Sequence, residues 1–457
     1  MSYLIYGLGI SGISAAKSLS ISNEVTVTDD NHKLLKNSKK VLNSDVSFKV
    51  FDEINFAKID KVIFAPGIPL YYPKRHPILD KKEQYGFKLI CDIEAFYQLN
   101  HNDQFIGITG TNGKSTTTAL TSHIFKDLGI NSDMGGNIGV PAFDLQKNLK
   151  NTTYILEFSS YQLDLVNKTK LDIACLLNIT PDHIDRHGSI ENYINTKSFI
   201  FNNQSSDDYA LVNIDDVNTK SIFNKLTSRN KQNIIALSTS TILDNGFSYN
   251  DDKVTISTDF LSNSFSLKHH YLQGDHNKQN ILSSLAITIC FLHKNNIEID
   301  LDKVIKSINS FKGLKHRQEH VKSLDNINFI NDSKATNSQS TKTALSAYKN
   351  IFLILGGREK DGIDDIITDL KGVKKIYLIG ESSKNFASIL QKSSIDFEIN
   401  KELKIAIQNA YSDALKSNNT NQVNIVLSPA CSSFDQFKNF EERGDYFCKI
   451  VNELQKS

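Results

Sequence analysis

The chain contains no tryptophan, two methionines, seven prolines and five cysteines. The cysteines (Cys91, Cys175, Cys290, Cys431, Cys448) are odd in number and scattered, with no C-x-x-C pair. They supply neither a disulfide framework nor a cysteine zinc site, and they suit a reducing compartment. Any apolar run approaching the roughly 20 residues of a membrane-spanning helix is also missing. The opening Met1-Ser2-Tyr3-Leu4-Ile5-Tyr6-Gly7 lacks the basic start and cleavage site of a signal peptide, and reads as a strand entering a glycine turn. The expectation is a cytoplasmic protein with no membrane partner. Charge of one sign is lacking too: 52 Lys+Arg stand against 51 Asp+Glu, a net charge of +1. No basic excess points to nucleic acid, and there is no acidic tail. The missing tryptophan, beside frequent Asn, Lys, Ile and Ser, reads as codon bias.

What is present is an ordinary globular balance, 39% hydrophobic and 23% charged over 457 residues. That length suggests about three domains. Strand and helix signals alternate from the start: Tyr3–Tyr6, a turn at Gly7–Gly12, a helical Ile13–Leu19, then strands at Val25–Thr28 and Val62–Ala65. The pattern restarts near Asp92 with a buried strand at Phe105–Thr109 and a long helix from Lys114. Further strands read at Tyr154–Leu156, Ile173–Leu177 and Ala210–Val212. Residues 220–270 read as an insertion of short polar strands, followed by a helix over 277–293. A third restart near Leu314 brings strands at Phe329–Asn331, Ile351–Leu355, Lys375–Ile379 and Asn424–Leu427. The alternation implies parallel sheets and domains at 1–92, 93–313 and 314–457.

The strongest motif is Thr109-Gly110-Thr111-Asn112-Gly113-Lys114-Ser115-Thr116, between a strand and a helix. Glycines let backbone N–H groups approach phosphate oxygens, and the helix N-terminus adds partial positive charge. Lys114 reaches the outer phosphates, and the Ser115 or Thr116 hydroxyl holds Mg²⁺. Ile108 stands where the usual motif has its first glycine. Glu157 ends a strand, where a carboxylate points into the ligand crevice of an α/β sheet. Asp182-His183-Ile184-Asp185-Arg186-His187 follows another strand. Gly7-Leu8-Gly9-Ile10-Ser11-Gly12 fits the G-x-G-x-x-G turn that binds diphosphates through backbone amides, with Asp29 ending the next strand where an acid meets a ribose. Three later strand ends carry polar turns: Asn331–Asn337, Leu355–Lys360 and Ser428–Phe437. Three such turns in one sheet read as a site on its carboxyl edge. Cys431 reads as a packed thiol, not a nucleophile. The fold class is α/β: a Rossmann-like N-terminal sheet, a central phosphate-loop ATPase domain and a Rossmann-like C-terminal domain.

These motifs, with Gly135–Gly139 (G-G-N-I-G), E-F-S-S-Y-Q-L at Glu157–Leu163, H-N-K-Q-N at His276–Asn280 and G-L-K-H-R at Gly313–Arg317, resemble the Mur ligase family nearly end to end. The resemblance implies an ATP-driven carboxylate–amine ligase of cell-wall precursor synthesis. Its branch joins D-glutamate to UDP-N-acetylmuramoyl-L-alanine through an acyl phosphate. It implies that Gly110, Thr111, Asn112, Gly113, Lys114, Ser115 and Thr116 hold ATP phosphates, Asn277 and Asn280 the adenine, and Arg317 and Asp332 ATP from the closing domain. Two Mg²⁺ sites follow, with Ser115 and Glu157 at one and His183 at the other. Lys197 matches a lysine that family members carbamylate, giving a carboxylate-like group that helps position Mg²⁺, although its sequence setting is that of a solvated helix lysine. Gly7, Gly9, Ile10, Ser11, Gly12, Asp29, Asp30, Gly67 and Asn137 match the UDP-sugar site, and Thr336, Lys360, Ser433, Phe434 and Phe440 the glutamate pocket. Two departures are Asp30-Asn31, where some relatives have Thr-Arg, and Ala65 in place of serine in S-P-G-I. A monomer is expected.

Other readings explain less. Sibling ligases that add diaminopimelate or lysine commonly carry D-N-P-R in the third domain, and here no proline occurs between Pro181 and Pro429. A folate polyglutamylating ligase has no use for the first glycine turn. A nicotinamide oxidoreductase leaves the phosphate loop idle, and a non-catalytic nucleotide binder has no need of Glu157, His183 and Lys197 together.

Overall fold

A computed structural model of the chain describes residues 1–145, 151–269, 271–272, 274–359, 362–417 and 421–455. The strands of these residues form three sheets. The first holds β1 (Ser2–Tyr6), β2 (Glu24–Thr28), β3 (Val46–Phe48), β4 (Lys61–Phe64) and β5 (Lys88–Ile90) in the order β3-β2-β1-β4-β5. Every pair is parallel. Connections leave β1 in opposite directions, so a crevice opens at the carboxyl ends of β1 and β4.

The central sheet comprises β6 (Gln104–Thr109), β7 (Ser132–Gly136), β8 (Thr153–Glu157), β9 (Ile173–Leu176), β10 (Tyr209–Asn213), β11 (Asn233–Ser238), β12 (Gly246–Asn250), β13 (Lys253–Ser257) and β14 (Ser262–Ser266). Its order is β14-β13-β12-β11-β10-β9-β6-β8-β7. β6 lies between β8 and β9, parallel to both, which puts the turns after these three strands side by side. β12, β13 and β14 pair antiparallel, so this sheet is mixed rather than purely parallel.

The third sheet runs β15-β16-β20-β17-β18-β19, from β15 (Glu319–Leu324), β16 (Ile327–Asn331), β17 (Ile351–Gly356), β18 (Lys375–Ile379), β19 (Phe397–Lys401) and β20 (Val423–Leu427). Only its edge strand β15 is antiparallel to its neighbour. Successive residues of β17 face opposite sides, as strand geometry requires. Phe352 and Ile354 enter one apolar core, and Ile351, Leu353 and Leu355 the other.

The chain packs as two compact units, Met1–Lys268 with Gln279–Ile308, and His269–Lys278 with Asn309–Ser457. In the first unit one apolar core runs from Tyr3 and Leu4 through Phe96, Phe105 and Tyr154 to Val212 and Leu226, so its two sheets share a core. The helix Asp92–Leu99 lies at that join. Its Phe96 ring meets Phe105, Phe143 and Tyr154 edge-on. Its buried Glu94 accepts hydrogen bonds from the amides of Asn167, Lys168 and Thr169 and from Thr169 Oγ1. No described helix is long and apolar enough to cross a membrane.

The insertion reading over 220–270 is half corrected: Val217–Arg229 is a helix, and strands start only at Asn233. Asp216 caps that helix by accepting from Asn218 N and Thr219 N, and Asn230 ends it in the left-handed conformation. Its buried stripe is narrow, Thr219, Ile222 and Leu226, which is why the polar sequence hid it.

Candidate active site

The phosphate loop leaves β6 at Thr109 and enters the helix Lys114–Asp127 at Gly113. Gly113 has φ +85°, and a Cβ there would collide with Asn280 Oδ1, so both backbone angle and space call for glycine. The loop is braced from the turn after β9: Thr111 N donates to Asn178 O, Asn112 N to Asn178 Oδ1, and Thr180 N to Thr111 Oγ1. Ser115 is buried at the second helical position. Lys114 Nζ turns back to donate to Gly110 O (2.8 Å) and Thr111 O (2.7 Å).

Lys197 lies under this loop. The helix Ile190–Ser198 carries it, and it is 1% exposed, contrary to the solvated lysine its sequence setting suggested. Its Nζ donates to Gly110 O (2.9 Å) and sits 4.7 Å from the Tyr193 ring centre. Burial, then the nearby Lys114 charge, hold its pKa well below the ordinary lysine range, against weaker opposing pulls from Asp182 and Glu157.

Glu157 is buried at the end of β8. Asn137 Nδ2 donates to its Oε1 at 2.8 Å, while Oε2 is buried without a hydrogen-bond partner. His183 follows β9, half exposed and left-handed at φ +53°, with its ring 5.2 Å from that of Tyr161. No group of three His, Cys, Asp or Glu side chains among the described residues is arranged to hold a metal alone. Mg²⁺ binds through one or two carboxylates plus substrate phosphates and keeps several waters. The orphaned Glu157 oxygen and the Ser115 hydroxyl are hard donors of the kind it takes.

The sequence singled out neither His187 nor Arg186. His187 is buried, its Nε2 2.9 Å from Ser160 Oγ, and burial pushes its pKa down to about 4. Arg186 donates to the carbonyls of Pro66, Gly67 and Ile68 and lies 4.3 Å from the Tyr161 ring centre. It thereby ties the turn after β4 to the segment carrying His183, beside a cleft lined by Ala65, Tyr71 and Tyr161. A lone arginine in the short helix Ile184–His187 gives no sequence signal of such a reach.

In the first crevice, Gly7 has φ +97°, and a Cβ on Gly12 would strike the Gly7 carbonyl. Ile10 and Ser11 open the helix Ile10–Leu19, capped by Gly9. Gly67 faces open space. Asp29 braces the turn, accepting from Leu8 N (2.6 Å) and Asn31 N (2.7 Å). Asp30 accepts from Tyr6 O–H (2.6 Å) and lies 3.6 Å from His76.

In the second unit, Asp332 follows β16 and is buried, accepting from Ser428 Oγ (2.8 Å) and Gln318 N (3.2 Å). Burial pushes its pKa up to about 7, with Arg317 among the opposing influences. Ser433 is buried and Phe434 60% exposed. Phe440 begins the helix Phe440–Glu453 with Lys334 Nζ 4.0 Å from its ring centre, and Thr336 is half-buried. Lys360 lies outside the described residues. Asn277 and Asn280 are buried in the helix Asp275–Lys294.

A phosphate loop, a buried carboxylate with a free oxygen and a buried lysine gathered at one sheet's carboxyl edge define a nucleoside-triphosphate-dependent α/β enzyme. The Mur ligase middle domain matches residues 108–288, and the Mur ligase, glutamate ligase domain matches residues 316–430. The UDP-N-acetylmuramoylalanine--D-glutamate ligase of Rickettsia bellii is 39% identical, the match covering 98% of this chain and 97% of that one. The ligase of the same name from Wolbachia pipientis wMel is 36% identical over 99% and 96%. Among solved structures, MurF from Acinetobacter baumannii aligns with TM-score 0.58 and 15% identity, covering 79% of this chain and 80% of that one. UDP-N-acetylmuramate-alanine ligase MurC from Thermotoga maritima aligns with TM-score 0.57 and 15% identity, covering 99% of each. At that identity these two carry the fold alone. The chain belongs to the Mur ligase family.

Proposed function

We propose that the protein uses ATP to join D-glutamate to UDP-N-acetylmuramoyl-L-alanine, forming a peptide bond in peptidoglycan precursor synthesis. The near full-length likeness to ligases of that name supports the substrate pair. The observation that carries the chemistry is the cluster of Lys114, Lys197 and Glu157 around the phosphate loop.

A carboxylate resists attack by an amine, so it must first gain a leaving group. Its oxygen attacks the γ-phosphorus of ATP, the bond to ADP breaks, and an acyl phosphate forms. The amine of D-glutamate then attacks the carbonyl carbon, loses a proton, and the tetrahedral adduct expels phosphate. The chain's part is positioning and charge neutralisation. Lys114 exchanges its loop carbonyls for phosphate oxygens, and the amides at the helix N-terminus cradle the same phosphates. Asn137 holds Glu157 and stands near the acyl carboxylate. Mg²⁺, when bound, supplies positive charge against the phosphates, with Ser115 and Glu157 as donors at one site and His183 at a second. Lys197, whose pKa burial lowers, would supply the lone pair needed to attack CO₂. N–C bond formation with release of a proton leaves a carbamate, an acidic group beside the loop.

The turn Gly7–Gly12 with Asp29, Asp30 and Gly67 takes the UDP-sugar. Asn277 and Asn280 take the adenine, and Arg317 and Asp332 reach ATP. Thr336, Lys360, Ser433, Phe434 and Phe440 form the glutamate pocket. The domains are 1–92, 93–313 and 314–457, in a cytoplasmic monomer.

The test is phosphate release from ATP with Mg²⁺ and UDP-N-acetylmuramoyl-L-alanine, adding D-glutamate, L-glutamate or meso-diaminopimelate in turn. Release with D-glutamate alone is expected. Release with another amino acid moves the protein to a sibling activity, and no release with any of them overturns the reading.

A further inference from the structure

Among the described residues, the largest fully buried side chain is a cation, Arg443. It is the fourth residue of the helix Phe440–Glu453. A guanidinium offers five N–H donors and stays charged at neutral pH. Burial draws its pKa down to about 10, which leaves that charge in place. Its hydrogen-bond partners are nevertheless all neutral. Nε donates to Ser333 Oγ (2.9 Å), and Nη2 donates to Ser333 O (2.8 Å) and Cys431 O (3.0 Å). Nη1 is buried with no partner. The acids around it are engaged elsewhere. Asp435, whose charge it feels, accepts from Glu381 N at 3.0 Å. Glu381 pairs with Arg358 at 3.0 Å, and Glu359 accepts from Asn385.

Its place in the fold gives this charge a purpose. Ser333 follows β16, Cys431 follows β20, and Gly357 follows β17. A Cβ on Gly357 would lie 3.2 Å from Nη1. Ser333 Oγ passes the contact on by donating to Phe440 O at 2.8 Å. One guanidinium therefore reaches all three polar turns at the carboxyl edge of the third sheet. A neutral glutamine could bond carbonyls without the desolvation cost of a buried charge. A cation kept there without a carboxylate partner projects its field into the crevice above, because a low-dielectric surround screens it little.

Resting on the reading that this crevice takes the amino-acid substrate, we propose that Arg443 is a positioning residue whose unneutralised charge favours a dicarboxylate over its amide. It holds the three turns in register and makes their crevice attractive to the side-chain carboxylate of glutamate. D-glutamine, equal in shape and lacking that charge, is the natural comparison.

The experiment measures KM for D-glutamate and Ki for D-glutamine as its competitor, with KM for UDP-N-acetylmuramoyl-L-alanine as reference, in the wild type, Arg443→Gln and Asp435→Asn. In Arg443→Gln, KM for D-glutamate rises about tenfold or more, the scale of one charge-assisted contact. Ki for D-glutamine rises less, and the reference KM holds. A merely structural pin would weaken both amino acids equally, and that result overturns the proposal. Asp435→Asn, at a partly exposed position, removes an opposing charge and shifts the preference further toward D-glutamate, which keeps the test decisive if Arg443→Gln does not fold. An unchanged or reversed preference in Asp435→Asn also overturns it. A wild type with no D-glutamate-dependent phosphate release sinks the functional reading itself, a distinct failure.

Discussion

Lys114 and Lys197 donate to one carbonyl oxygen, that of Gly110, at 2.8 and 2.9 Å. Two ammonium groups on one acceptor repel, and burial decides which gives way. Lys197 is the deeper, and its proton is the weaker held. The same residue type thus meets two environments at one loop, and the deeper lysine holds its proton less tightly.

Replacing Lys114 by alanine removes the cation while leaving the glycine loop intact. Phosphate release is expected to fall by at least about a hundredfold, with little change in melting temperature. Turnover near the wild-type rate would refute the phosphate-loop role.

Lys197→Ala removes the carbamate precursor and opens a space beside Gly110. The variant is expected to be nearly inactive and to regain part of its rate with acetate or formate, whose carboxylates fit that space. A fully active variant would end the carbamate idea.

Glu157→Gln keeps the side chain's shape and takes away its charge. The Mg²⁺ concentration for half-maximal phosphate release should rise about tenfold or more, since charge-assisted contacts are the strong ones. A magnesium titration unaffected by the substitution would remove Glu157 from the metal site.

Asp332 couples stability to pH. Its folded pKa of about 7 lies above the ordinary aspartate value of 3.8. Between about pH 4 and 7 the unfolded chain has released this proton and the folded chain has not, so stability falls as pH rises through that window. Asp332→Asn escapes the penalty. It should melt higher than wild type at pH 8, by an amount worth on the order of a few kcal/mol, with the gain shrinking toward pH 4 and activity reduced. A gain independent of pH would place the effect elsewhere.

Much of this was legible in the sequence because phosphate chemistry needs glycine and lysine in fixed order. The loop at Gly110–Lys114, the strand-end Glu157 and the three turns of the third sheet stand where pattern and strand endings placed them. Contacts made at a distance were not legible. Nothing in Ile190–Ser198 separates buried Lys197 from a surface lysine, because burial there comes from the loop after β6. Arg443 looks like one charge among many in Phe-Glu-Glu-Arg-Gly, until the turns of three strands close over it. Short or polar elements were also missed. β7 reads Ser-Asp-Met-Gly-Gly, and the helix Val217–Arg229 buries only a narrow stripe. In both, neighbouring strands or caps override weak local preference.

Glu94 carries a last consequence, for how the molecule comes together and where it tolerates being cut. Its carboxylate is held by donors 73 to 75 residues further along the chain. Closing a loop of that length costs chain entropy before it returns any contact, and β6 through β8 lie between the two halves of the cradle. A fragment ending near residue 92 would lose both that anchor and the ring contacts of Phe96. It should behave as a sticky, partly ordered piece rather than a free-standing module. Engineers wanting the crevice of the first sheet alone would need to keep the chain through at least Thr169.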